Sequence, residues 1–276
     1  MNFLPIFIIA MPDSKRVELI KSQLEKLRLS FVIQKSVVGN NLTEEEIKEK
    51  VNLRGCDARL GYKISKNLIG SGLSHIEVYK KALMLESEWA LILEEDVIMI
   101  DFDSKLIDRT LLEVGNSPAI IQLFSRASRL AVKSSIREVG RDKFVFKFNK
   151  RLAGCGAPAY LINKSALKIA LDAGELNGTP DWPSWGQKVS FFGIYPWLFQ
   201  ETGADTTVPM NLILPSQNFK RRFSQILGIH YLLYKDEYKN FRSYLSEEIY
   251  PYLLFLIWRL RGSRYFKNDR DGIQII

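Results

Sequence analysis

The chain has 276 residues, of which 46% are hydrophobic and 25% charged, and this composition excludes a disordered protein. Two cysteines, Cys56 and Cys155, lie outside any CxxC or Cys/His cluster, so neither a disulfide framework nor a zinc site is indicated and a reducing compartment is expected. The net charge of +8 is concentrated near the C-terminus, where residues 217–276 carry 11 Lys/Arg and 6 Asp/Glu.

The first part of the chain alternates between strand and helix patterns. The apolar segment PIFIIA predicts a strand, and apolar residues between Val17 and Leu27 recur at the three- and four-residue spacing of an amphipathic helix. FVIQKSVV predicts a second strand. Thr43, three residues before Glu46, then predicts a capping box at the start of a short helix.

The alternation continues through the middle of the chain. Ser74 and Glu77 have the same spacing, which predicts a longer helix that begins at the serine. Strands are predicted at WALIL, AIIQLF, FVFKF and APAYLI, and a helix at NKSALKIALDAG. WALIL and AIIQLF are apolar throughout, as strands are when both faces of a mainly parallel sheet are covered. The predicted fold class is therefore α/β, with helices flanking the sheet.

Three adjacent carboxylates, Glu94, Glu95 and Asp96, directly follow the predicted strand WALIL. Open α/β sheets bind ligands at the carboxyl ends of their strands. In an extended segment Glu94 and Asp96 point the same way while Glu95 points the other way. A pair of oxygen ligands on one side suits Mg²⁺ or Mn²⁺. The alternative is that these acids only solvate a turn.

The two ends of the chain bear on its location. The N-terminal MNFLPIFIIAM has no basic leader and no cleavage site, so a buried strand and a cytoplasmic protein are expected. The basic segment 216–276 is predicted to be helical and separate from a domain over residues 1–215. Two interpretations of this segment stay open: it lies on an anionic membrane surface, or it packs as a final helix with a solvated basic face.

Four segments, in order along the chain, resemble motifs of glycosyltransferase family 25, the bacterial lipooligosaccharide galactosyltransferases and their relatives. The segments are PIFIIAMPDSKRVELIKSQLEKLRLSF, IGSGLSHIEVYKKAL, LILEEDVIM and GAPAYLINKSALKIAL. A fifth, YPWLFQETGADTTV, is similar to a late motif. The chain departs from the family pattern at Glu95, where the family has aspartate, and at Ser71, where it has cysteine.

The resemblance implies a GT-A-like, Rossmann-type fold and an inverting transfer of a hexose. The implied donor is a UDP-sugar, above all UDP-galactose, and the acceptor is a hydroxyl of a lipid-linked lipooligosaccharide or lipopolysaccharide glycan. Glu94 and Asp96 are expected to hold Mn²⁺ or Mg²⁺. Peripheral contact with the inner face of the bacterial inner membrane is expected, and specific binding of nucleic acid is not.

The implied site includes a general base and a set of donor-binding residues. Asp181 is the first candidate for the base, and Glu201 and Asp205 are the alternatives. The candidate donor-binding residues are Arg16, Ser74, His75, Glu94, Glu95, Gln200 and Asp205.

Several of these candidates have an alternative structural interpretation. Ser74 is expected to act as a helix cap, and His75 to be either structural or near the donor. Arg16 is expected to meet a phosphate or the acidic run, with a surface salt bridge as the rival. Trp182 and Trp185 are expected to stack on a sugar or to pack in the core.

Two other function classes remain open at this point. One is a non-catalytic basic module that binds a membrane surface or nucleic acid, with the acids serving as turn residues. The other is a nucleotidyl- or phosphoryl-transferring enzyme with the same metal site. The sequence lacks the glycine-rich phosphate loops that would favour this last class.

Overall fold

The computed structural model describes residues 4–60, 63–125, 129–148, 157–180, 182–202 and 273–275. The helices within these ranges are α1 (Val17–Lys26), α2 (Glu44–Lys50), α3 (Leu53–Leu60), α4 (Lys66–Leu83), α5 (Ser104–Val114) and α6 (Lys164–Asp172). Short 3₁₀ helices cover Gly39–Asn41, Lys133–Ser135 and Ser184–Lys188.

One large sheet organises the described part of the chain. Its strands are β1 (Ile6–Ala10), β2 (Val32–Lys35), β3 (Trp89–Glu94), β5 (Ala119–Gln122), β7 (Arg137–Gly140), β8 (Lys143–Lys147), β9 (Ala159–Asn163) and β12 (Ser190–Tyr195). They are ordered β2-β1-β3-β9-β5-β12-β8-β7. Three two-stranded sheets pair β4 (Val97–Met99) with β13 (Phe199–Glu201), β10 (Gly178–Thr179) with β11 (Trp182–Pro183), and β6 (Arg129–Ala131) with β14 (Ile273–Ile275).

The large sheet is mixed, but six of its eight strands point the same way, as the prediction of a mainly parallel sheet requires. β1 runs parallel to β2 and β3, and β12 runs parallel to β5. β9 is antiparallel to both β3 and β5, so those two neighbours point the same way. Only β9 and β8 oppose the common direction among the eight strands described for this sheet. The carboxyl ends of β1, β3 and β5 therefore share one edge.

Helices cover both faces of the sheet, which explains why its central strands are apolar throughout. Leu91 and Leu93 of β3 belong to the apolar cluster that includes residues of α1 and α5. Ala90 and Ile92 face the other way and belong to the cluster with residues of α4 and α6. The predicted α/β class is confirmed, and the alternation along β3 builds one core on each side.

One of the two predicted capping boxes is confirmed and the other is wrong. Thr43 caps α2, accepting from Glu46 N at 3.1 Å, while the Glu46 carboxylate accepts from Thr43 N at 3.0 Å. Ser74 does not cap a helix, because α4 begins more than two turns earlier, where Ser65 Oγ accepts from Leu68 N at 3.3 Å.

Two glycines explain why the start of α4 is predicted too late in the sequence. Gly70 and Gly72 in IGSG suggest a loop by their low helix propensity, yet both lie inside the helix. A Cβ on Gly70 would lie 2.5 Å from the carbonyl oxygen of Val37. Close packing of α4 on the chain after β2 therefore requires glycine there, and tertiary contact overrides propensity.

The basic C-terminal segment predicted over residues 216–276 lies outside the described residues, apart from 273–275. Those three residues form β14, which runs parallel to β6. In the described ranges, no helix combines the length and the apolar character needed to cross a bilayer.

Candidate active site

The acidic run lies at the carboxyl-end edge of the sheet, where β3 ends at Glu94. A two-residue turn leads into β4, which pairs antiparallel with β13 and sets Glu201 opposite Val97. Thr202 N also donates to Asp96 O at 2.8 Å. This pairing brings a late segment of the chain back against the acidic run.

Three carboxylates meet at this edge. Glu94, Asp96 and Glu201 each offer an oxygen, and these oxygens lie within 4.8 Å of one another. All three residues are half-buried. Carboxylate oxygens in such a group fit the preferences of Mg²⁺ and Mn²⁺, which commonly bind through a few carboxylates together with substrate phosphates. The donor set therefore fits the expected cation.

Glu95 is buried and is not one of the three acids in this group. Its Oε2 accepts from Met11 N at 3.0 Å, and its Oε1 accepts from Arg16 Nε at 2.9 Å and from Arg16 Nη2. Arg16 Nη1 also lies 3.6 Å from Asp96 Oδ2. These contacts fit an anchor for the turn rather than a contact with donor.

The electrostatics of Arg16 follow from this position. Burial acts to lower the pKa of Arg16, but the hydrogen bond and charge of Glu95, with the charges of Asp96 and Glu94, outweigh it and raise the pKa. The guanidinium is therefore held in its charged form beside the acids. The expected contact of Arg16 with the acidic run is present, and its contact with a phosphate stays a prediction.

His75 contacts the acidic run from inside the protein. It lies in the middle of α4, and its Nε2 is 3.3 Å from Glu94 Oε1. Its Nδ1 is 2.7 Å from Tyr160 Oη, which is 2.9 Å from Tyr79 Oη. The histidine and the two tyrosines are all buried. A series of hydrogen-bonding groups therefore runs from Glu94 into the interior.

Ser74 anchors the chain after β2 rather than contacting a ligand. Its hydroxyl accepts from Val37 N at 2.8 Å and donates to Gly70 O at 2.7 Å, and the side chain is fully buried. Two consecutive residues of α4 thus hold two strand ends: Ser74 holds the end of β2, and His75 holds the end of β3.

The remaining predicted residues are placed less centrally. Gln200 is exposed on β13, next to Glu201. Trp185 is buried and packs edge-on against Tyr79, with ring centroids 6.0 Å apart, so it fits the packing interpretation. Asp181, Asp205 and the side chain of Trp182 lie outside the described part of the chain.

A cavity lined in part by α4 and α6 adjoins His75. Its lining includes Tyr79 and Trp185, and also Pro180 and Pro183. The chain on both sides of residue 181 therefore lies beside the histidine that contacts the acidic run.

Two features of the site are absent from the sequence-based prediction. The sequence predicts Glu201 only as an alternative base, because no local sequence pattern indicates that β13 pairs with β4. From the sequence, Tyr160 is expected to be a core residue of a strand, and Tyr79 a core residue of a helix. A polar hydroxyl within the apolar pattern APAYLI is the one available signal, since a buried tyrosine usually finds a hydrogen-bond partner.

An α/β sheet that ends in clustered carboxylates is typical of enzymes that act on phosphorylated ligands. Residues 3–176 match the family described as Glycosyltransferase family 25 (LPS biosynthesis protein). The match spans more than half of the chain, and the chain belongs to this family. It is therefore a glycosyltransferase of lipopolysaccharide biosynthesis.

The chain is also similar to solved structures. These include A197 from STIV, with 15% identity and a TM-score of 0.34 over 68% of this chain and 81% of that one. They also include the inositol-1-phosphate CTP transferase from T. maritima, with 13% identity and a TM-score of 0.30 over 81% of this chain and 97% of that one. No curated protein matches the chain.

Proposed function

We propose that this chain is a metal-dependent inverting glycosyltransferase that moves a hexose, galactose from UDP-galactose, to a hydroxyl of a lipooligosaccharide or lipopolysaccharide glycan. The observation that supports this proposal is the group of three carboxylates, Glu94, Asp96 and Glu201, at the ligand-binding edge of the sheet in a family 25 chain.

The three carboxylates have one task in this proposal, which is to hold Mn²⁺ or Mg²⁺. The bound cation would neutralise the diphosphate of the nucleotide, which favours both its binding and its departure. Carboxylates held by the fold suit this task because preorganised charges need no reorganisation during the reaction.

Two of the three adjacent acids are fixed by protein contacts that support such preorganisation. Glu95 is tied to Arg16 and to Met11 N on one side of the sheet. Glu94 is tied to His75 on the other side. Because Arg16 is already engaged with Glu95, its proposed contact with the donor is with a phosphate oxygen near Asp96, the acid 3.6 Å from its Nη1.

Asp181 remains our candidate for the general base that takes the proton of the acceptor hydroxyl. Two observations support it. The residues around position 181 line the cavity beside His75, and Glu201 lies with Glu94 and Asp96, which fits cation binding better than proton transfer. Asp205 stays the alternative, and Gln200 a candidate contact for a sugar hydroxyl.

The acceptor is proposed to be lipid-linked, with the enzyme at the inner face of the bacterial inner membrane. The support is the excess of Lys/Arg in residues 217–276, which would be attracted to an anionic leaflet.

The test is nucleotide release from a panel of UDP-, GDP- and CMP-sugars with Mn²⁺, in the presence and absence of a lipooligosaccharide acceptor. We expect release from UDP-galactose that depends on the metal and is abolished in Asp96→Ala. Asp101→Ala is the matched control, because Asp101 is an exposed aspartate that contacts Lys143 and lies outside the acidic group.

Three results would contradict the proposal. One is release of equal rate in Asp96→Ala and wild type, and another is release that persists in EDTA. The third is that no donor gives nucleotide release while the protein binds anionic vesicles or DNA in a salt-sensitive way. This result would favour the basic binding module.

A further inference from the structure

The buried tyrosine Tyr160 lies next to the acidic run because of strand direction. β9 runs antiparallel between β3 and β5, so its first residues lie at the carboxyl ends of its neighbours. Tyr160 pairs with Ile92, which is two residues before Glu94 on the same face of β3. Tyr160 therefore lies on the side of the sheet that α4 covers.

Helix α4 supplies the two other members of the series of hydrogen-bonding groups. His75 and Tyr79 are four residues apart, so they project from the same face of the helix. The His75 ring also stacks on the Tyr160 ring, with centroids 5.8 Å apart and an interplanar angle of 21°. The imidazole is thus fixed both by ring contact and by the hydrogen bond at Nδ1.

When the His75 ring is neutral, one arrangement of hydrogen atoms fits the contacts that run from Glu94 to Tyr79. An ionised Glu94 only accepts, so Nε2 of His75 carries the proton that is shared at 3.3 Å. In the neutral ring Nδ1 is then an acceptor, and the Tyr160 hydroxyl donates to it at 2.7 Å. The oxygen of Tyr160 is left to accept from the hydroxyl of Tyr79 at 2.9 Å.

The reverse arrangement is unfavourable. With the proton on Nδ1, the lone pair of Nε2 would face the carboxylate oxygen of Glu94, and no hydrogen would lie between them. Burial raises the pKa of Tyr79 and outweighs its hydrogen bond with Tyr160, so Tyr79 keeps its proton and stays able to donate.

We propose that Tyr160 is a positioning residue for the transfer reaction: by donating to Nδ1, it fixes the His75 ring with its Nε2 proton directed at Glu94 and thereby fixes the Glu94 carboxylate. The proposal rests on the proposed function in so far as Glu94 is taken to hold the cation. Its consequence is that a ring held by Tyr160 orients this carboxylate. Partners of ligating groups act in this way on metal affinity.

The experiment uses the full-length chain labelled with ¹⁵N, as wild type, Tyr160→Phe and Tyr79→Phe. Long-range ¹H–¹⁵N correlation spectra identify which ring nitrogen of His75 carries the proton. The chain has two histidines, so a His230→Gln variant assigns the signals. The affinity for Mn²⁺ is measured on the same samples by the EPR signal of the free ion.

In the wild type we expect the Nε2–H tautomer, with Nδ1 showing the shift of a nitrogen that accepts a hydrogen bond. Tyr160→Phe should lose that shift and weaken Mn²⁺ binding toward the lower end of the roughly 10–100-fold range known for such partners. Tyr79→Phe should keep the Nδ1 shift and change Mn²⁺ affinity by less than Tyr160→Phe does, because Tyr160 still donates to His75.

The proposal is overturned by a protonated Nδ1 in the wild type, by an unchanged Nδ1 shift in Tyr160→Phe, or by equal losses of Mn²⁺ affinity in the two tyrosine variants. A wild type that binds no Mn²⁺ would instead contradict the proposed metal-dependent function. In that case the NMR comparison alone decides whether Tyr160 positions His75.

Discussion

Arg16 and Glu95 form an ion pair that joins the start of α1 to the turn after β3, with Arg16 Nε 2.9 Å from Glu95 Oε1. The carboxylate is almost fully buried, and its other oxygen accepts from Met11 N. This pairing gives the middle acid of the run a task distinct from that of its neighbours. Glu94 and Asp96, by contrast, each place an oxygen within 4.8 Å of an oxygen of Glu201.

Replacing Arg16 by alanine should destabilise the protein because it leaves the buried carboxylate of Glu95 without its cation. The expected loss in free energy of unfolding is about 2–3 kcal/mol, below the roughly 3–5 kcal/mol typical of a fully buried pair, since Arg16 is partly exposed. Urea unfolding of wild type and Arg16→Ala measures this difference.

Lys21→Ala is the matched control for Arg16→Ala. Lys21 lies in α1, the helix that Arg16 precedes, and pairs with Glu18 at 3.3 Å on the exposed surface, so its loss should cost less than about 0.5 kcal/mol. Equal losses in the two variants would show that the Arg16–Glu95 pair is no stronger than a surface ion pair.

Glu201→Gln tests whether the late strand β13 contributes to cation binding. Removing one of three clustered carboxylates should weaken Mn²⁺ binding by more than about tenfold, since even indirect partners of a metal site change affinity by roughly that factor. Mn²⁺ titration followed by EPR gives the affinity.

Glu138→Gln is the control for Glu201→Gln, because Glu138 is an exposed glutamate on the strand β7 of the large sheet. If the Mn²⁺ affinity is unchanged in Glu201→Gln but lost in Asp96→Ala, Glu201 is not a cation ligand. It would then be a candidate for the general base.

Much of the local structure is predictable from the sequence. The capping box of Thr43 and Glu46 depends on residues three apart, and the apolar strands at the centre of the sheet depend on burial of both faces. The position of the acidic run at a strand end follows from the same local pattern. Interactions over short sequence distances are those that periodicity and capping rules describe.

The features that escape prediction all depend on contacts between distant parts of the chain. Glu201 joins the acids because β13 pairs with β4. Tyr160 reaches His75 because β9 enters the sheet antiparallel between β3 and β5. The early start of α4 depends on the fit of Gly70 against Val37. None of these relationships changes the local pattern of apolar and polar residues.

Ser74→Ala should destabilise the protein although the change removes a single oxygen. The serine hydroxyl accepts from Val37 N in a fully buried position, so alanine leaves that backbone donor without this acceptor, at an expected cost of about 1–3 kcal/mol. The free energy of unfolding in urea checks the value. Ser22→Ala, at a partly exposed serine whose hydroxyl donates to Leu19 O, should change the free energy of unfolding by less than about 0.5 kcal/mol.

Tyr79 should make the stability of the protein sensitive to alkaline pH. Burial raises its pKa above the ordinary value of 10.0, with the hydrogen bond to Tyr160 acting in the opposite direction. Above that ordinary value the unfolded chain loses the Tyr79 proton while the folded chain keeps it. The favourable contribution is therefore complete below pH 10 and is lost progressively as the pH rises beyond it.

The Tyr79→Phe variant isolates this contribution. At neutral pH it should be less stable than the wild type by about 0.5–1.5 kcal/mol, the usual value of one hydrogen bond. As the pH rises past 10 the wild type should lose stability faster, so the difference between the two proteins should shrink and then reverse. Urea unfolding at a series of pH values measures it, and a difference that stays constant up to pH 11 would show that Tyr79 ionises equally in both states.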